Sequence, residues 1–202
     1  MSIKEDAIHI LNEFIADICI GVEVLKDYEN GIYPNRDELF KQGIYRLCLQ
    51  SIFLNCAKYT EFCREYGQVL NEYCQDLAKL NNQVKAEFEQ RGINSFRSKY
   101  IAHNRCDKTK KPFTVEEINS QVVKILGSTN AKPFLDFLLP DNPDGVPEID
   151  YFTGFLKVIR DRIRQRYNKP LKFVPATKSV ASTGLATANR LAGRYTFIKV
   201  TS

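Results

Sequence analysis

Histidine is scarce in this chain: His9 and His103 are the only two among 202 residues. Few groups are therefore left to exchange a proton near neutral pH, and neither histidine stands in the short Cys/His cluster that zinc requires. Paired Cys-x-x-Cys spacing is also missing. The six cysteines, at 19, 48, 56, 63, 74 and 106, mostly sit among apolar neighbours in helical patterns, which predicts buried free thiols in place of a disulfide framework. No apolar run reaches the roughly 18 residues that would suggest a membrane span. The first residues, Met1-Ser2-Ile3-Lys4-Glu5-Asp6, carry acids where a secretory signal carries cations. We read from this a cytoplasmic protein with no membrane partner. A glycine-rich phosphate loop and paired catalytic carboxylates are lacking, which ranks a nucleotide-binding or nucleotide-transfer role last. No repeat of fixed period is visible.

What is present suits one globular domain. Hydrophobic residues make up 44% and charged residues 26% of the chain, a soluble composition with enough length to bury a core without metal or disulfide staples. The net charge of +5 is unevenly spread: residues 1–91 hold 10 Lys/Arg against 15 Asp/Glu, net −5, and residues 92–202 hold 19 against 9, net +10. A basic half of this kind fits an anionic partner.

The patterning is almost wholly helical. Ile8, Leu11, Phe14, Ile15, Ile18, Val22 and Leu25 recur at spacings of three and four and predict a long amphipathic helix over Glu5–Asp27. Gly31 and Pro34 break it, and Asn35 is a plausible N-cap for a second helix that runs through Leu39, Phe40, Ile44, Leu47, Cys48, Ile52, Leu54 and Cys56 to about Tyr59. A third helical region follows from about Thr60 to Gln90, with Gly67 as an interruption and Arg91-Gly92 as its end. A fourth, short helix from Phe96 to Asn104 would be capped by Ser95 or Asn94. Thr114-Val115-Glu116-Glu117 has the form of a capping box and opens another helix. Three prolines and a glycine within Pro140–Pro147 dictate a loop, and Ile149, Phe152, Leu156, Ile159 and Ile163 mark a last amphipathic helix rich in arginine. The prediction is an all-α up-and-down bundle with an extra C-terminal helix over residues 1–174, and a partly irregular, flexible tail over 175–202.

One string carries chemistry: Phe96-Arg97-Ser98-Lys99-Tyr100-Ile101-Ala102-His103-Asn104. Histidine titrates near neutrality, and arginine grips a phosphate through two parallel hydrogen bonds. An acid–base group beside a phosphate-holding cation suits cleavage of RNA. A base removes the ribose 2′-hydroxyl proton, an acid protonates the leaving 5′-oxygen, and cations balance charge developing on the phosphate. His103 would be the base or, from a second subunit, the acid; Arg97 would stabilise the transition state. Lys99 adds charge, and Ser98 or Asn104 orients substrate or imidazole. On a regular helix six positions leave Arg97 and His103 roughly 120° apart, so a two-fold axis would help bring two copies of the segment together. Against this stand the blander readings, His103 as a hydrogen-bonded core residue and Arg97 as a surface cation. Cys106, three positions after His103, is an alternative nucleophile. His9 reads as a structural helix residue, and Arg160, Arg162, Arg164 and Arg166 as a solvated face before an RNA track.

The arginine, five intervening residues and histidine, ending in Ile101-Ala102-His103-Asn104, resemble the motif of the HEPN superfamily, and the whole string is most similar to its bacterial abortive-infection branch. The resemblance rests on about ten residues. It implies a HEPN-like helical bundle, commonly homodimeric, and a metal-independent endoribonuclease of a phage-defence or toxin–antitoxin system, with Arg97 and His103 catalytic and no cofactor or metal. The partners implied are RNA, a second copy and an antitoxin protein. Active members often carry Asn, Asp or His after the arginine, where this chain has Ser98. The alternative reading is a non-catalytic HEPN-like module that binds RNA or a protein partner.

Overall fold

A computed structural model of the chain describes residues 2–32, 37–101 and 111–167. Among these residues the fold is all-α, a helical bundle without strands, as the periodicity predicts. Helix α1 (Ile3–Glu29) starts from a complete capping box in which Ser2 and Glu5 satisfy each other's backbone N–H groups. All seven apolar residues of its predicted stripe, Ile8 to Leu25, are buried. Helix α2 (Glu38–Glu65) follows, with Asp37 as its N-cap accepting from the Phe40 N–H at 2.8 Å. Asn35, the expected cap, lies outside the described residues.

α1 and α2 run antiparallel. Phe14 meets Phe62, Asp17 accepts from Asn55, Gly21 lies against Ile52, and Tyr28 packs on Tyr45, so the partner number falls as the position on α1 rises. The last helix, α8 (Phe152–Tyr167), packs on α1 in the same antiparallel sense, from Ser2–Tyr167 at one end to Asn12–Arg160 further along. α1 is thus the shared partner of α2 and α8.

The chain departs from the predicted boundaries at three places. Helix α2 does not stop near Tyr59; it continues to Glu65, because Tyr59, Phe62 and Cys63 extend its buried stripe, and the break falls at Tyr66, which leaves helical geometry just before Gly67. The predicted third helix is accordingly two, α3 (Gly67–Cys74) and α4 (Ala78–Arg91), joined by a 3₁₀ turn over Gln75–Leu77. The following α5 (Ile93–Phe96) is not capped by Asn94 or Ser95. Gly92, at φ +78°, closes α4 in the left-handed conformation and launches α5 directly. Finally Ile149 stays out of the last helix: it sits 46% exposed in a 3₁₀ turn over Glu148–Asp150, and α8 begins at Phe152. Leu39 and Leu47, counted in the second helix's stripe, are 81% and 58% exposed.

Two further helices complete the bundle. α6 (Val115–Leu126) opens with the predicted capping box at Thr114 and Glu117, and α7 (Lys132–Leu138) carries Phe134, Leu135 and Leu138 into the core. A charged cluster fixes α7 to the end of α1: Lys26 donates to the Leu139 carbonyl at 2.7 Å and pairs with Asp141 at 2.7 Å, while Lys132 reaches Asp141 at 2.6 Å. Lys26 also lies 3.0 Å from Asp136, an ionic contact without hydrogen-bond geometry. Cys19, Cys56, Cys63 and Cys74 are buried free thiols and Cys48 a half-buried one; burial pushes Cys19 and Cys74 up to about 11. Among the described residues no helix is long and apolar enough to cross a membrane. The tail over 175–202 and the end of the 1–174 domain lie outside them.

A Cβ added at Gly154 would overlap the Glu148 carbonyl and the Tyr151 ring, so Gly154→Ala should lower the unfolding free energy by about 2 kcal/mol or more, read from urea melts. The ammonium groups of Lys132 and Lys26 hold Asp141 down at about 2. A carboxyl depressed in the folded state contributes stability above its ordinary value and loses it as pH falls toward about 2. Melting temperature should therefore drop more steeply for the wild type than for Asp141→Asn between ordinary carboxylate pKa values and that limit.

Candidate functional site

The motif arginine is placed by aromatic packing. Phe96, the last residue of α5, is buried edge-on against Phe53 of α2 at 5.4 Å and stacks on Tyr100 at 4.9 Å, which in turn meets Phe113 at 4.0 Å. Between Phe96 and Tyr100 the chain forms a π-helical turn over Arg97–Ile101. Such turns close i to i+5 hydrogen bonds and occur mostly as single turns, often at functional sites. The wider turn advances less per residue than an α-helix, so the angle of about 120° expected between Arg97 and His103 on a regular helix does not apply across residues 97–101.

Each described motif residue takes a different direction. The Arg97 guanidinium pairs with Glu61 on α2; their side chains are 34% and 38% exposed. Ser98 donates its hydroxyl to the Asn94 carbonyl one turn back, at 3.1 Å. Lys99 is exposed and makes no ion pair among the described residues. His103 and Asn104, and with them Cys106, lie outside the described residues. The structure brings Arg97, Ser98 and Lys99 onto one turn at the bundle surface.

Glu61 is the residue that sequence reasoning misses. It stands among polar residues on a long amphipathic helix, where a carboxylate normally faces solvent, and its partner is 36 positions away in sequence. No spacing rule links the two. The contact through which α2 receives the segment also includes Thr60, whose hydroxyl lies 3.3 Å from the Asn94 side chain.

Asp17 accepts a hydrogen bond from Asn55 at 3.2 Å, in the α1–α2 interface. His9 is an exposed helix residue 3.3 Å from Glu13. The arginines of α8 are largely used within the bundle: Arg160 pairs with Asp161 at 2.8 Å and reaches Asn12 at 3.2 Å, and Arg162 pairs with Asp76 at 2.5 Å. Arg166 reaches the Glu72 carbonyl at 3.5 Å. Such pairs must be broken or bypassed before the helix can track a phosphate backbone.

No protein-family model matches the chain, and no curated protein sequence does. Among solved structures it is similar to the integron cassette protein Vpc_cass2 from the mobile metagenome of V. paracholerae, at 28% sequence identity and a TM-score of 0.69. The match covers 81% of this chain and 98% of that one.

The packing and the ion pair are separable by mutation. Phe96→Ala should cost about 3–5 kcal/mol of stability, as loss of a buried ring does, whereas Glu61→Gln should change it by less than about 1 kcal/mol because the pair is substantially solvated. Parallel denaturant melts of the two variants check both magnitudes.

Proposed function

We propose that this chain is a metal-independent endoribonuclease of HEPN type, working in a phage-defence or toxin–antitoxin setting. The observation that carries the reading is the placement of Arg97. A guanidinium at the surface, on a π-helical turn anchored by Phe96, with a solvated carboxylate as its resting partner, is a cation that a phosphate group can take over. In this reading a base, His103, removes the proton of the ribose 2′-hydroxyl, whose oxygen attacks phosphorus. The 5′-oxygen leaves with a proton from the acid, the partner's His103, and the products are a 2′,3′-cyclic phosphate and a 5′-hydroxyl end. Arg97 neutralises the charge gathered on the phosphate, and Lys99, exposed beside it, adds field. Ser98 and Asn104 are substrate-orienting groups. The chain works as a cytoplasmic homodimer, and an antitoxin protein restrains it. The likeness to an integron cassette protein supports a mobile-element setting.

One observation favours a second reading, a non-catalytic module of the same type that binds RNA or a protein. The Arg97 guanidinium is already engaged by Glu61, and the Ser98 hydroxyl proton is committed to Asn94. Total cellular RNA incubated with purified protein in excess EDTA separates the two readings. The nuclease reading predicts cleavage by the wild type, cyclic phosphate ends, and a loss of at least about a hundredfold in rate for both Arg97→Ala and His103→Ala. Equal traces from three folded proteins would leave the binding module.

A further inference from the structure

A second site lies on the far side of α2. Glu61 and Cys63 are two positions apart on that helix, hence about 200° apart around its axis. Glu61 faces Arg97, whereas Cys63 opens on a cleft of about 220 Å³ bounded by α2, α3, α4 and α8. Its floor is apolar, with Leu70, Leu77 and Ile159. Its rim carries Asn71, Asn81, Asn82 and Lys85, and among the described residues no carboxylate lines it.

Asn81 is oriented from below. Its side-chain oxygen accepts from the hydroxyl of Tyr59 at 2.7 Å and from the thiol of Cys63 at 3.2 Å. Tyr59 is fully buried, and Asn81 accepts its hydroxyl proton beside the Cys63 thiol. With both acceptor positions of the amide oxygen filled, its NH₂ group keeps two donors that meet no acceptor among the described residues. Lys85 stands one helical turn further along α4, on the same face, and forms no ion pair among the described residues. The neighbouring acids are occupied elsewhere, Glu72 by Lys4 and Asp76 by Arg162. The ammonium of Lys85 is close enough to counter part of the burial that raises the Cys63 thiol.

We infer that this cleft binds a small organic monocarboxylate, with its carboxylate held by the Asn81 amide and the Lys85 ammonium and its apolar body laid on Leu70, Leu77 and Ile159. Two amide donors and one ammonium match one negative charge. The apolar floor selects against inorganic anions. The volume, below the roughly 300 Å³ at which pockets for drug-sized ligands begin, limits the ligand to a compact acid. This inference does not depend on the ribonuclease reading.

The test is titration of the ¹⁵N-labelled full chain with benzoate and with isovalerate, taking benzamide as the neutral isostere and inorganic phosphate as the bare anion. At least one of the carboxylates should shift the side-chain amide signals of Asn81 and Asn82 saturably. It should bind at least about tenfold more tightly than benzamide or phosphate, the factor expected for one charge-assisted hydrogen bond. Lys85→Gln and Asn81→Asp should each weaken that binding by a similar factor. Asn81→Asp retains an acceptor for Tyr59, and Lys85→Gln leaves the buried bond untouched, so the latter decides alone should the former fail to fold. The inference is overturned by the absence of saturable shifts with both acids, by benzamide or phosphate binding as tightly, or by an unchanged affinity in folded Lys85→Gln.

Discussion

The ring of Tyr59 is the point on which this bundle is assembled. It is fully buried near the middle of α2's second half, edge-on to Phe88 of α4 at 6.5 Å and to Phe152 of α8 at 5.1 Å, with Phe62 stacked beside it. One side chain therefore joins α2 to α4 and α8. Its hydroxyl would be costly to bury alone, and Asn81 removes that cost with a 2.7 Å hydrogen bond. The apolar part of the ring supplies packing, while the polar tip fixes the rotation of α4 against α2. From Phe88 the aromatic contacts continue through Phe152 and Phe137 to Phe134, and Phe134 meets Phe53, against which Phe96 is seated. The position of Arg97 is inherited from this chain of rings.

The same helix serves two surfaces. Tyr59 and Cys63 look toward α3 and α4, whereas Thr60 and Glu61 look toward α5 and the π-helical turn. Because α2 is held on one side by a buried ring and on the other by Phe53 against Phe96, both surfaces rest on rigid backbone. A half-exposed ion pair such as Glu61–Arg97 contributes little to stability. Its physical meaning is the resting occupancy of a cation at the place where the proposed chemistry needs one.

Much of the fold was legible in the sequence, and the reasons are local. The stripe of α1, the capping box at Thr114, the closing Gly92 and the break at Gly67 are each written within a few neighbouring residues. The failures share a cause in tertiary structure. Tyr59-Thr60 looked like a boundary, yet α2 runs on because Phe62 and Cys63 have a core to enter. Ile149 fits the period of the last helix, but close packing at Gly154 against the Glu148 carbonyl leaves it in the preceding turn. The π-helical turn, which changes the angular relation along the motif, has no signature that composition reveals. Of the candidate site, Arg97, Ser98 and Lys99 were found as residue types in a pattern, whereas Glu61 was not, since an acid on the polar face of a helix carries no mark of its partner.

Under the proposed function, Arg97 exchanges its own carboxylate for a phosphate of RNA. The measurement that bears on it most directly is a crystal structure of the wild-type protein with an RNA blocked by a 2′-O-methyl group at the cleaved position. In that complex the Arg97 guanidinium should leave Glu61 and bridge two oxygens of the scissile phosphate, with His103 within hydrogen-bond reach of the blocked 2′-oxygen. RNA bound elsewhere, with Arg97 still paired to Glu61, would contradict it.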